Sequence, residues 1–201
     1  MPISLTPNLK TYSTIEAILN PKYRIFGMNA SKKIDVYISE ETIQTRVKEL
    51  AGMINRDYQN QEVILVCVLN GSFIFCADLI RHITVPVKVE MVALSSYIGS
   101  ESSGQVSFRL DVQQSLTGKN VILVEDIIDT GLTITFLINH MKLKNLKSLK
   151  LCSLLLKRAR LKIETPVDYL GFDIEDKFVI GYGLDFDGLY RELPYIGVYG
   201  A

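Results

Sequence analysis

Cysteine, histidine and surplus charge are all scarce in this chain, and each shortage removes a class of function. Cys67, Cys76 and Cys152 stand apart in apolar surroundings with no C-x-x-C spacing. That pattern predicts small buried hydrophobes in a reducing compartment, not a disulfide scaffold. His82 and His140 are far apart and lack ligand spacing, which argues against a zinc site. Both fall near predicted helix C-termini, where a cation suits the helix dipole. Lysine plus arginine total 22 and so do aspartate plus glutamate, giving zero formal net charge. Bulk binding to nucleic acid needs clustered cations, so no nucleic-acid partner is expected. No uninterrupted apolar run is long enough for a membrane span either. The longest suspect, residues 63–80, is broken by Asn70-Gly71-Ser72 and carries Asp78, so strand, tight loop and helix explain it better. The stretch MPISLTPNLKTYST has no continuous apolar segment of the secretory kind. A cytoplasmic protein without a membrane partner is therefore expected, and no internal repeat is evident.

What the chain does have is a strong apolar framework. It has 201 residues, 48% of them hydrophobic, enough for one domain with a substantial core. Residues 1–33 hold Pro2, Pro7 and Pro21 with little periodicity and read as an N-terminal arm or hood segment. Residues 34–201 read as the main domain. KIDVYIS is a short strand, and Ser39 caps a helix whose Ile43, Val47, Leu50 and Ile54 alternate spacings of four and three. VILVCVL (63–69) and NVILVED (120–126) are continuous apolar strands of the kind covered on both faces. FIFCADLIRHI and LTITFLINHMK follow them as helices. VKVEMVAL and QVSFRL flank a serine- and glycine-rich loop, SSYIGSESSG, as the arms of a hairpin. LKSLKLCSLLL, DYLGF, KFVIGYG and YIGVYG read as further strands. Alternating strands and helices predict an α/β fold, a parallel sheet flanked by helices on both faces. Ligands in such sheets bind at the carboxyl ends of the strands. The loops after residues 69, 94, 124, 156 and 180 are expected to share that edge.

The most informative stretch is VILVEDIIDTGLT, residues 121–133. A hydrophobic strand runs into Glu125 and Asp126, then Asp129, just before a helix. Grouped carboxylates repel and lose hydration unless something compensates them. Small and hydroxylated residues at a strand-to-helix turn leave backbone N–H groups available, and the helix N-terminus adds positive potential. Thr130, Gly131 and Thr133 therefore form a phosphate-type cradle. Asp129 reads equally as the N-cap of that helix. Glu125 and Asp126, pointing in different directions, suit the cis-diol of a ribose with magnesium nearby.

An apolar strand, two acids, two apolar residues and D-T-G-x-T closely resemble the phosphoribosyl-pyrophosphate (PRPP) motif of type I phosphoribosyltransferases. The E-D-I-I-D-T-G version resembles the hypoxanthine-guanine phosphoribosyltransferases, which make nucleotides from 6-oxopurines. The resemblance covers Ile34 to Val198 and implies that family's fold, with a small hood built from the terminal segments. It implies transfer of 5-phosphoribosyl from PRPP to hypoxanthine or guanine, with Mg2+ as cofactor and a homodimer or homotetramer as assembly. Asp129 then exchanges a proton with the purine at N7. Glu125 and Asp126 hold the ribose and its metal, and Thr130, Gly131 and Thr133 grip the 5-phosphate.

Other segments extend the likeness. LLLKRAR places the purine-recognition lysine at Lys157, whose ammonium donates to a 6-oxo group and offers nothing to an amino group. KFVIGYGLDFDGLYRELPYIGV resembles the C-terminal signature. It implies Phe178 stacked on the purine, Val179 contacting its edge, Asp185 at a second metal position and Arg191 on pyrophosphate. Phe178 also reads as a core residue. SSYIGSESSG resembles a loop that closes over the site, with Ser96-Tyr97 as its recurrent pair. Leu69-Asn70-Gly71 stands where the family has Leu-Lys-Gly in its pyrophosphate loop, a loop that uses backbone N–H groups and a cis peptide. Asn70 removes the usual positive charge there. An alternative reading is a PRPP-binding regulator without transferase activity. Such proteins commonly add a DNA-binding segment or a basic face, and neither is visible here.

Overall fold

The computed structural model describes residues 34–96 and 106–200. The expected N-terminal arm over residues 1–33 and the loop residue Tyr97 lie outside them. Nine strands and three helices run β1 (Ile34–Ile38), α1 (Glu40–Asp57), β2 (Val63–Leu69), α2 (Phe73–His82), β3 (Val87–Ser96), β4 (Val106–Leu110), β5 (Asn120–Ile128), α3 (Leu132–Lys142), β6 (Ser148–Leu156), β7 (Tyr169–Asp173), β8 (Val179–Ile180) and β9 (Ile196–Tyr199) among the described residues. The main sheet has the order β4-β3-β2-β5-β6-β7. Every pairing in it is parallel except β3 with β4, the expected hairpin.

The central strands are apolar at almost every position because both faces are covered. One core layer gathers Ile43, Val47, Leu50 and Ile54 of α1 with Phe75 and Leu79 of α2 against Leu65, Ile122 and Leu154. The other gathers Ile134, Leu137 and Met141 of α3 against Ile64, Val121 and Leu123. Alternate residues along β2 and β5 thus feed opposite layers, as the strand period of two requires. Ser39 caps α1, its Oγ accepting from the Thr42 amide at 3.3 Å, with Glu40 and Glu41 in the first turn. His82 and His140 lie in the last turns of α2 and α3. All three cysteines are buried and free, and no described helix is long and apolar enough to cross a membrane.

Two expectations need correction. Strand β5 does not end at Val124 but continues to Ile128, with Glu125 opposite Ser153 and Ile127 opposite Leu155 of β6. The two acids are thus inside the ladder, held by its hydrogen bonds, and the loop begins at Asp129. Ile180 does not belong to the main sheet. It lies in β8 of a separate three-stranded sheet, β1-β9-β8, all antiparallel.

Candidate active site

The turn from β5 into α3 is built around Gly131, which N-caps the helix at φ 79 with no side-chain cap. A Cβ there would come within 2.9 Å of the Ile163 carbonyl oxygen, so both the left-handed backbone and the close approach require glycine. The first helical bond is Thr135 N–H to Gly131 O at 3.0 Å, and the amides before it have no helical acceptor. Asp129 therefore does not cap the helix, and the cap reading falls. Glu125, Asp129, Thr130, Gly131 and Thr133 line one cleft of about 160 Å³.

The acids of β5 occupy different surroundings. Glu125 is buried, and burial, then the neighbouring Asp126 charge and a hydrogen bond between the two carboxyls, pushes it well above the ordinary carboxylate range. Asp126 reaches across to the β2 loop, where a Cβ on Gly71 would overlap its carboxylate. The Leu69–Asn70 peptide in that loop is cis, and Asn70 is exposed. Gly183, at φ 101, rests its Cα on the Gly71 carbonyl so closely that no side chain fits. The loop after β2, the end of β5 and the C-terminal segment therefore meet in direct contact.

The remaining implied residues fall into two groups. Arg191 donates from Nη1 to the Gly183 carbonyl at 2.6 Å, and its Nη2 lies 2.7 Å from Asp185 Oδ1. Asp185 Oδ2 also accepts from the Gly188 amide at 2.8 Å. Among the described residues no three carboxylate, histidine or cysteine side chains form one metal-holding group. Lys157 is buried, and its Nζ lies 3.5 Å from Asp176 Oδ1. Phe178 is 53% exposed, which excludes the core reading. It meets Phe186 edge-on at 5.8 Å between ring centroids. Val179 is buried in β8 opposite Val198. Ser96 is the last residue of β3, and Tyr97 lies beyond the described residues.

Sequence reasoning missed Arg160, Asp176 and Tyr182. Arg160 Nε lies 2.7 Å from Asp129 Oδ1, and Arg160 Nη1 lies 3.3 Å from Asp176 Oδ1. The signal was available in KRAR, whose lysine and last arginine sit three residues apart. Tyr182, at φ 50, sends its hydroxyl 2.7 Å to Asp78 Oδ2 on α2. That bond ties the C-terminal segment to the sheet's helical layer.

Residues 38–187 match the family model of the phosphoribosyl transferase domain. The chain belongs to the phosphoribosyltransferase family. A hypoxanthine-guanine phosphoribosyltransferase of Dictyostelium discoideum is 45% identical over 169 residues, which is 81% of this chain and 93% of that protein. Among solved phosphoribosyltransferases, a hypoxanthine-guanine enzyme of Bacillus anthracis is similar with a TM-score of 0.79 and 47% identity, covering 83% of this chain and 99% of the other. The hypoxanthine phosphoribosyltransferase of Trypanosoma cruzi, solved in complex with the product IMP, gives a TM-score of 0.76 at 43% identity, covering 81% of this chain and 92% of that one. The doubly covered sheet derived above is thus the phosphoribosyltransferase fold.

Proposed function

We propose that this phosphoribosyltransferase serves purine salvage, transferring the 5-phosphoribosyl group of PRPP to hypoxanthine, guanine or both and releasing pyrophosphate. The observation that carries the reading is the cleft at the β5–α3 turn, where a glycine-capped helix start, the ladder acid Glu125 and an Asp129 free of any capping role share one wall. The helix-start amides with Thr130 and Thr133 bind the 5-phosphate, since anions favour the positive end of a helix. Glu125 and Asp126 accept from the ribose hydroxyls. Arg191, already oriented by Asp185 and the Gly183 carbonyl, forks onto the pyrophosphate beside the Leu69–Gly71 backbone. Lys157 donates to the 6-oxo group while Phe178 stacks on the purine and Val179 meets its edge. Asp129 takes the N7 proton as the new bond forms at the anomeric carbon.

The hard carboxylate oxygens of Asp185 and of the Glu125–Asp126 pair are the donor type magnesium takes. Mg2+ bound by these carboxylates would supply charge neutralisation on the pyrophosphate. The three buried free thiols support a cytoplasmic location. Val89 and Met91, exposed on one face of β3, support a homodimer or homotetramer.

The test is a nucleobase panel at fixed PRPP and magnesium, reading nucleotide and pyrophosphate together. Hypoxanthine, guanine or both should be converted and adenine left untouched. Absence of pyrophosphate release with every 6-oxopurine would sink the reading.

A further inference from the structure

We infer that Arg160 is a positioning residue for Asp129, holding one carboxylate oxygen so that the other faces the purine. The inference rests on the transferase reading above. Strand β6 ends in a 3₁₀ turn, Arg158–Arg160, whose closing bond runs from the Arg160 amide to the Lys157 carbonyl at 3.0 Å. Residues three apart in such a turn project on the same side, so Lys157 and Arg160 leave the strand together. Both reach Asp176 Oδ1, at 3.5 and 3.3 Å. From its other edge Arg160 reaches Asp129, Nε to Oδ1 at 2.7 Å.

The state of that oxygen is the deciding observation. Asp129 Oδ1 is buried and has no hydrogen-bond partner, because the Arg160 N–H lies near it without pointing along the bond. A buried carboxylate oxygen without a partner is unfavourable, and the adjacent guanidinium charge is what compensates it. The Asp129 side chain as a whole is 40% exposed and Arg160 45%. The open part of the carboxylate is therefore the side carrying Oδ2. Ion pairs this exposed add little to stability, so the pair's effect is expected in orientation. Only a planar fork spans both carboxylates at once, one nitrogen on Asp129 and another on Asp176. Asp176 thereby links the group that reads the 6-oxo oxygen to the group that takes the N7 proton.

Steady-state kinetics with hypoxanthine, PRPP and magnesium test this on the wild type, Arg160→Met and Arg160→Lys. Arg160→Met should lower kcat about tenfold, the scale of a mispositioned reacting group, while KM for PRPP stays within about twofold. Arg160→Lys should recover part of the loss, because an ammonium reaches Asp129 but cannot span to Asp176. In an Asp129→Asn background, Arg160→Met should lower kcat no further. Unchanged kcat in Arg160→Met, or an equal loss in the Asp129→Asn background, overturns the inference. A wild type that releases no pyrophosphate overturns the transferase reading instead, and this inference with it.

Discussion

The two edges of the main sheet are made from the same strands and treat polar groups in opposite ways. At the amino edge, polar groups are paired with one another. Asn120 donates to the Glu62 carbonyl at 3.1 Å and accepts from Ser148 at 2.9 Å. Asp168 accepts from the Leu151 amide at 2.8 Å. Asp57 accepts from both Lys150 and Tyr169 at 2.7 Å. At the carboxyl edge, Glu125 is buried beside a second acid, and Asp129 Oδ1 is the buried side-chain oxygen left without a hydrogen bond among the described residues. Buried polar groups are ordinarily satisfied, so the edge that departs from the rule is the one prepared for a ligand. The amino edge stabilises the sheet, and the carboxyl edge holds groups whose partners arrive with the substrate.

Asp129→Asn should break the comparison most sharply. It keeps the shape of the turn and removes the base, so kcat should fall about a hundredfold or more. The melting temperature should stay close to wild type, because the aspartate does not cap α3. A variant that folds, binds PRPP and turns over at the wild-type rate would remove Asp129 from its role. Gly183→Ala attacks the same edge through geometry. Its positive φ and its contact with the Gly71 carbonyl leave no room for a methyl group, so roughly 1–3 kcal/mol of stability should be lost. Turnover should fall with it, since Arg191 hangs on the Gly183 carbonyl. Thermal unfolding and kcat measured on one preparation check both outcomes.

Much of the carboxyl edge was legible because its signals are local. The apolar run 63–69 became β2 without change, and the helix over 132–142 begins inside D-T-G-x-T, directly after its glycine. The strand–turn–helix order placed Glu125, Asp129, Thr130, Gly131 and Thr133 in one cleft. What escaped depends on partners distant along the chain. Glu125 and Asp126 stay in the ladder because β6 continues beside them, which composition does not reveal. Arg160 meets Asp129 and Asp176 only once β6 and the β7–β8 connection lie side by side. Strand β8 is two residues long because Gly181 and Tyr182 both turn to positive φ, a change that apolar patterning in KFVIGYG cannot signal. Tyr182 looked like a strand residue, yet its hydroxyl is spent on Asp78 in α2.

Tyr169→Phe carries the comparison to the amino edge. It removes a hydroxyl that donates to Asp57 at 2.7 Å. A bond to a charged partner contributes roughly 1.5–3 kcal/mol when buried, and this one is part-buried, so about 1 kcal/mol should be lost. In a chain of this size that lowers the melting temperature by about 2–4 °C. The value of kcat should not move, because the residue lies at the opposite end of the strands from the cleft. A loss of turnover larger than the loss of stability would mean the edges are coupled.

In the pH dependence of stability the edges should differ in sign. Hydrogen bonds from Lys150 and Tyr169 hold the Asp57 carboxyl below its usual range. The unfolded chain then binds the proton more readily, so Asp57 contributes stability above about pH 4 that is lost as pH falls through its lower folded value. With the side chain 43% exposed, that contribution should stay under about 1 kcal/mol. Glu125 runs the other way, raised first by burial and then by Asp126. The folded state keeps its proton longer than the unfolded chain does. Stability is therefore full below about pH 4 and declines as pH climbs from there through the raised folded value. Denaturant unfolding of the metal-free protein across that range should show Asp57→Asn flattening the acid side, while Glu125→Gln removes the decline above it. Profiles of the two variants bending in the same direction would show that the edges do not differ as their hydrogen bonds imply.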